Sequence, residues 1–86
     1  LIVDDDILSR KVLKRFVEQT DFITEVAECG NAIEANRYLR ENQTDLLFLD
    51  VEMPGMTGLE LIGILRHKPA IVLVSGKREY AVDAFD

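Results

Sequence analysis

Three short stretches of this chain carry the residues that could do chemistry together. They are Asp4-Asp5-Asp6, the single Asp50, and Ser75-Gly76. Each follows an apolar run: Leu1-Ile2-Val3, Leu46-Leu47-Phe48-Leu49 and Ala70-Ile71-Val72-Leu73-Val74. Short apolar runs bounded by turn residues read as strands buried on both faces, the habit of parallel sheets. If the three strands are parallel and adjacent, their carboxyl ends share one rim, where open α/β sheets collect ligands. Carboxylates gathered there repel one another unless a cation joins them. Hard oxygen donors, with water filling the remaining positions, suit Mg²⁺. A carboxylate beside a divalent ion and a hydroxyl is a suitable acceptor for a phosphoryl group. The competing bland reading is that Asp50 merely ends a strand or caps a helix, as Asp often does in turns.

The elements that must position these residues alternate in type. Strand one is read at 1–4. Asp6 or Ile7 opens a helix to about Gln19, with Leu8, Val12 and Phe16 spaced by four and Leu13 and Val17 beside them. Arg10, Lys11, Lys14 and Arg15 form its other side and read as a solvated basic face rather than a nucleic-acid patch, because acids dominate elsewhere. Residues 22–29 alternate apolar and polar, as a less buried strand at the sheet edge would. A second helix is expected over 31–42, with Ala32, Ala35 and Leu39 inward. Strand three spans 45–50, followed by a loop shaped by Pro54 and Gly55. A third helix starts at Gly58 or Leu59, with Leu59, Ile62 and Leu65 inward and Leu61 and Ile64 alongside. Strand four is 70–75, and a fourth helix begins near Arg78. Strands alternating with helices imply a parallel sheet with helices on both faces, a doubly wound α/β fold.

Composition narrows the function. Eighty-six residues, 48% of them apolar, allow one domain with a small core. A net charge of −6 argues against a general nucleic-acid surface. The single cysteine, Cys29, excludes an internal disulfide, fits a reducing cytosol and reads as a small packed side chain. The single histidine, His67, stands in a polar helix end and reads as a surface residue; one His cannot build a His-rich metal site. No apolar stretch approaches the roughly 18–20 residues needed to span a bilayer, and no signal peptide precedes the first acids.

Ile2-Val3-Asp4-Asp5, Leu49-Asp50-Val51-Glu52-Met53-Pro54-Gly55-Met56-Thr57-Gly58 and Val72-Leu73-Val74-Ser75-Gly76 together make the chain resemble the receiver domain of bacterial two-component response regulators. The resemblance runs through all 86 residues in order and spacing. The tail Glu79-Tyr80-Ala81-Val82-Asp83-Ala84-Phe85 is similar to receivers of the LytR/AlgR type. The resemblance implies a flavodoxin/CheY-like strand order, 2-1-3-4-5, which sets strands one and three side by side. It implies that Asp50 is the phosphoacceptor and that Asp4 and Asp5 organise Mg²⁺, Asp5 directly and Asp4 through water. The backbone carbonyl of Glu52 would be a further metal contact. The Ser75 hydroxyl would bond the phosphoryl oxygen and draw strand four and its helix into a second arrangement. Asp6 falls where the family varies and reads as a helix cap.

The implied function is a cytoplasmic signalling switch, not a turnover enzyme. Its phosphoryl donor would be a histidine kinase, a phosphotransfer protein or a small phosphodonor. Its output, transcription in the first instance, would reach DNA only through a separate domain beyond residue 86. Homodimerisation is compatible with this, and no membrane association is expected. The chain departs from the family pattern in stopping before the fifth strand, its lysine and the fifth helix. Lys77, two residues after Ser75, is not that lysine; it is expected to pair with Glu52 at the site mouth. Residues 1–86 therefore read as a partial receiver domain with strand four exposed as an edge. Two other readings remain: a receiver-like interaction module without phosphorylation, and an aspartate-nucleophile phosphatase of the haloacid dehalogenase type. The latter expects a second Asp where Glu52 stands and its motif on the first strand.

Overall fold

The computed structural model describes residues 1–74. Ser75, Lys77 and the helix expected from Arg78 lie outside the described residues. The elements run β1 (Ile2–Val3), α1 (Ile7–Glu18), β2 (Glu28–Cys29), α2 (Ala32–Glu41), β3 (Leu46–Asp50), α3 (Gly58–Ile64) and β4 (Ala70–Val74). The strands form one sheet in the order β2-β1-β3-β4, and every pairing is parallel. This is the order that the family resemblance implies for its first four strands, so β1 and β3 end side by side.

Register explains the layering. Val3 pairs with Cys29 and with Leu49, while Ile2 pairs with Glu28 and with Phe48. Side chains alternate across a strand, so Val3, Cys29, Leu47 and Leu49 share one face and Ile2, Glu28 and Phe48 the other. The first face packs against Ala32 and Ala35 of α2 and Leu61 of α3 to form the core, joined by Met53 from the β3–α3 loop. The second face is covered by α1, whose Val17 is buried.

The helix starts follow local chemistry. The Asp6 carboxylate accepts from the N–H groups of Leu8 and Ser9, capping α1 as expected. Asn31 caps α2 by accepting from the Glu34 N–H. Thr57 and Glu60 form a reciprocal capping box at α3. That box is legible as Thr-x-x-Glu, a local pattern beyond the helix start expected at Gly58 or Leu59.

Four expectations change. The strand expected over 22–29 reduces to Glu28–Cys29, which pairs with Ile2 and Val3 of β1. It does lie at the sheet edge. β3 is dry on one face but only half-buried at Leu46 and Phe48, and β4 is largely uncovered, with Val72 43% exposed. On α3 it is Leu61 that is wholly buried, while Leu59 is exposed. On α1 the apolar series Leu8, Val12 and Phe16 faces outward; the face towards the sheet is Arg10, Leu13, Lys14 and Val17. On that side Arg10 and Lys14 meet Glu28 of β2. No described helix is long and apolar enough to cross a membrane.

Candidate functional site

At the carboxyl end of β1 the chain turns into α1 through Asp4, Asp5 and Asp6, and at the carboxyl end of β3 it leaves the sheet at Asp50. The adjacency of β1 and β3 brings these ends together. Each of Asp4, Asp5 and Asp50 offers a carboxylate oxygen, and the three oxygens lie within 4.8 Å of one another. Asp4 is buried, Asp50 half-buried and Asp5 exposed, so the cluster opens to solvent through Asp5.

Neighbouring backbone holds the two inner carboxylates. The Asp6 N–H donates to Asp4 Oδ1 at 2.9 Å, and the Glu52 N–H donates to Asp50 Oδ1 at 3.2 Å. The Asp4 N–H in turn donates to the Cys29 carbonyl of β2 at 3.2 Å. The β3–α3 loop is tied down at both ends. Val51 donates its N–H to the Val74 carbonyl of β4, and Gly58 donates its N–H to the Val51 carbonyl. Val51 and Met53 are buried, which anchors the loop beneath the cluster. Gly58 meets the backbone of Asp50 directly: a Cβ there would collide with the Asp50 carbonyl oxygen and crowd Leu49. The glycine thus permits α3 to start against the strand end that carries Asp50.

The electrostatics are unbalanced. Burial pushes the Asp50 carboxyl up to about 7, with the charge of Asp4 and the nearness of Asp5 adding to the effect and the Glu52 N–H opposing it. Three hard oxygen donors in mutual repulsion, with one open side, fit a divalent cation of the Mg²⁺ type better than a soft metal. Cys29 does not join the cluster; it packs in the core, and burial raises its thiol above the usual range. His67 is exposed in the α3–β4 connection, as expected. A separate depression of about 430 Å³ lies at the opposite end of the strands, lined by residues such as Leu1, Phe22, Phe48 and Ala70, away from the carboxylates.

The structure brings together Asp4, Asp5 and Asp50, with the Glu52 N–H on Asp50. Ser75 lies outside the described residues; it is next in sequence to Val74, which is in register with Asp50. Sequence reasoning missed Arg10, taken there as part of a solvated face. Its side chain is only 16% exposed, and its Nη1 donates to the Asp4 carbonyl oxygen at 2.6 Å. The same reasoning took Gly58 as a turn residue and helix start, without its close approach to the Asp50 backbone. In both cases the deciding contact is between a helix and the strand end before it, which helical periodicity does not encode.

Comparison with known proteins gives a consistent answer. The family described as response regulator receiver domain matches residues 1–86. The transcriptional regulatory protein BtsR of Escherichia coli K12 is 42% identical over 88 residues, which cover 100% of this chain and 37% of BtsR. The chain thus spans little more than a third of the length of the curated relatives it matches. Among solved structures, the response regulatory domain of mrkE from Klebsiella pneumoniae is similar at 30% identity and a TM-score of 0.79, covering 98% of this chain and 71% of that one. The response regulator domain of Thermotoga maritima CheB is similar at 26% identity and a TM-score of 0.78, covering 98% and 67%.

Proposed function

The chain belongs to the response regulator receiver domain family, and from that premise we propose that it is a phosphorylation-dependent switch with Asp50 as its phosphoacceptor. The observation that carries this reading is the convergence of the Asp4, Asp5 and Asp50 oxygens within 4.8 Å at the adjoining ends of β1 and β3.

The step is an in-line displacement. An Asp50 carboxylate oxygen bonds to the phosphorus of a phosphohistidine donor while the P–N bond breaks and its electron pair stays on the imidazole nitrogen. The Glu52 N–H, bonded to Asp50 Oδ1, fixes the plane of the attacking carboxylate. Mg²⁺ held by Asp4, Asp5, Asp50 and the Glu52 carbonyl would supply the positive charge that keeps Asp50 ionised and offsets the anionic phosphoryl group. Asp5, exposed at the mouth, would hold the metal directly in this reading, and the buried Asp4 would do so through water. The acyl phosphate that results carries new negative charge and strong acceptors. Ser75 donates its hydroxyl to one of them, coupling the chemistry to β4 and the segment after it, a local charge change that biases a two-state element. The phosphoryl group stays on Asp50 until the acyl phosphate hydrolyses, so the role is an acceptor that can phosphorylate and dephosphorylate itself rather than a turnover enzyme.

The partner is then a histidine kinase or a phosphotransfer protein, and the setting is the cytoplasm. Similarity to BtsR, a transcriptional regulatory protein, supports transcription as the output, exerted through a part of the protein outside residues 1–86. The tail at 79–85 supports the LytR/AlgR type within the family.

Intact mass after incubation with Mg²⁺ and acetyl phosphate tests the reading in the whole protein. One phosphoryl group is expected on the unaltered protein and none on Asp50→Asn. A folded protein that gains no phosphoryl group, either from acetyl phosphate or from a phosphorylated histidine kinase, would establish the interaction module instead.

A further inference from the structure

Arg10 closes a ring of polar bonds around the carboxyl end of β1. Its Nη1 donates to the backbone carbonyl of Asp4 at 2.6 Å, and its Nε lies 3.4 Å from Glu28 Oε1. Glu28 and its neighbour Cys29 form β2, and the Cys29 carbonyl accepts the Asp4 N–H. Both backbone polar groups of Asp4 are therefore held from outside its own strand, one by β2 and one by α1. The two side chains that make the ring, Arg10 and Glu28, are 16% and 18% exposed. Lys11 and Lys14 also approach Glu28, each at 3.5 Å, but through its other oxygen, Oε2.

The carbonyl that Arg10 binds belongs to the peptide plane joining Asp4 to Asp5. Rotation of that plane swings the Cα of Asp5, and with it the Asp5 carboxylate, relative to Asp50. The side chain of Asp4 is fixed separately, by the Asp6 N–H. We infer that Arg10, oriented by Glu28, is a positioning residue that sets the Asp4–Asp5 plane and so the spacing of the carboxylates that receive the cation. The inference rests on the proposed cation site. A guanidinium suits the task because its rigid fork addresses a carbonyl and a carboxylate at once, while a lysine offers one point of charge. The bond goes to backbone, so the effect is one of geometry more than of net charge.

Mg²⁺ affinity of the intact protein, followed by amide NMR titration well below each variant's Tm, separates the outcomes. The unaltered protein is expected to bind. Arg10→Met and Arg10→Lys should each weaken binding about ten-fold, as loss of an outer-shell support usually does. Glu28→Gln should act in the same direction and add nothing to Arg10→Lys, since both break one ring. Lys11→Met should leave affinity unchanged. Unchanged affinity in Arg10→Lys and Arg10→Met would overturn the role of Arg10 while leaving the site intact. An equal loss in Lys11→Met would overturn it in favour of general charge. No Mg²⁺ binding by the unaltered protein would overturn the cation site itself, and this inference with it.

Discussion

On the side of the sheet covered by α2 and α3, Leu47, Leu49, Leu61 and Ala35 are wholly buried and the contacts are apolar. On the side covered by α1, Glu28 of the edge strand gathers Arg10, Lys11 and Lys14, and Leu46 and Phe48 stay half-buried. The two sides do different work. Apolar burial is strong and non-directional, so the first side holds the strands together with little control over the angle of any one carboxylate. Ion pairs and charged hydrogen bonds at a partly exposed surface contribute less stability but fix direction. The carboxylate cluster sits where both influences reach it. The dry side brings the ends of β1 and β3 together, and the polar side orients the turn that leaves β1.

The largest effect should come from breaking the dry side. Leu61→Ala removes a fully buried side chain at the centre of the core. It should cost about 2–5 kcal/mol of unfolding free energy in a denaturant titration. Phosphorylation of the molecules that remain folded should proceed normally. A loss of phosphorylation without a loss of stability would break the division between the two sides.

Next in size is Gly58→Ala, where α3 on the dry side touches the strand end that carries Asp50. The added Cβ meets the Asp50 carbonyl oxygen, so either α3 or the end of β3 must move. Overpacking of this kind costs about 1–3 kcal/mol. Here the phosphorylation rate by acetyl phosphate should fall as well, because the displaced backbone carries the acceptor. A stable Gly58→Ala protein with a normal rate would show that the contact relaxes without reaching Asp50.

The smallest effect is electrostatic and belongs to the cluster itself. The Asp50 carboxyl stands at about 7 when folded, against an ordinary value of 3.8. Between those values the folded state binds more protons than the unfolded state, so stability should fall as pH rises from about 4 to about 7 in the presence of a chelator. Solvent screening at this half-exposed position limits the effect to about 1 kcal/mol. Asp50→Asn should remove most of that slope and be the more stable protein at pH 8 without divalent cation. Equal slopes for the two proteins would show that Asp50 does not carry the effect.

The position of the carboxylates was readable because it depends on local pattern. A short apolar run ending in Asp places that residue at a strand end, and alternation of strands with helices makes the strands parallel. The Asp6, Asn31 and Thr57 caps are local for the same reason: each side chain bonds its own helix start. What could not be read was which stripe of a helix meets the sheet. Leu8, Val12 and Phe16 form the more apolar series on α1, yet Arg10, Leu13, Lys14 and Val17 face inward. On α3, Leu61 displaces Leu59 from the core.

The sequence by itself therefore determined the order and type of the elements, the caps, and the identity of the three acids at the strand ends, since each depends on residues near one another in the chain. Only the tertiary structure decided the rotation of α1, the two-residue length of β2, the fit of Gly58 against Asp50 and the burial of Arg10. Each rests on a contact between different elements, which the pattern of any one element does not encode. Helical periodicity fixes which residues share a stripe, but the partner across the interface fixes which stripe is used.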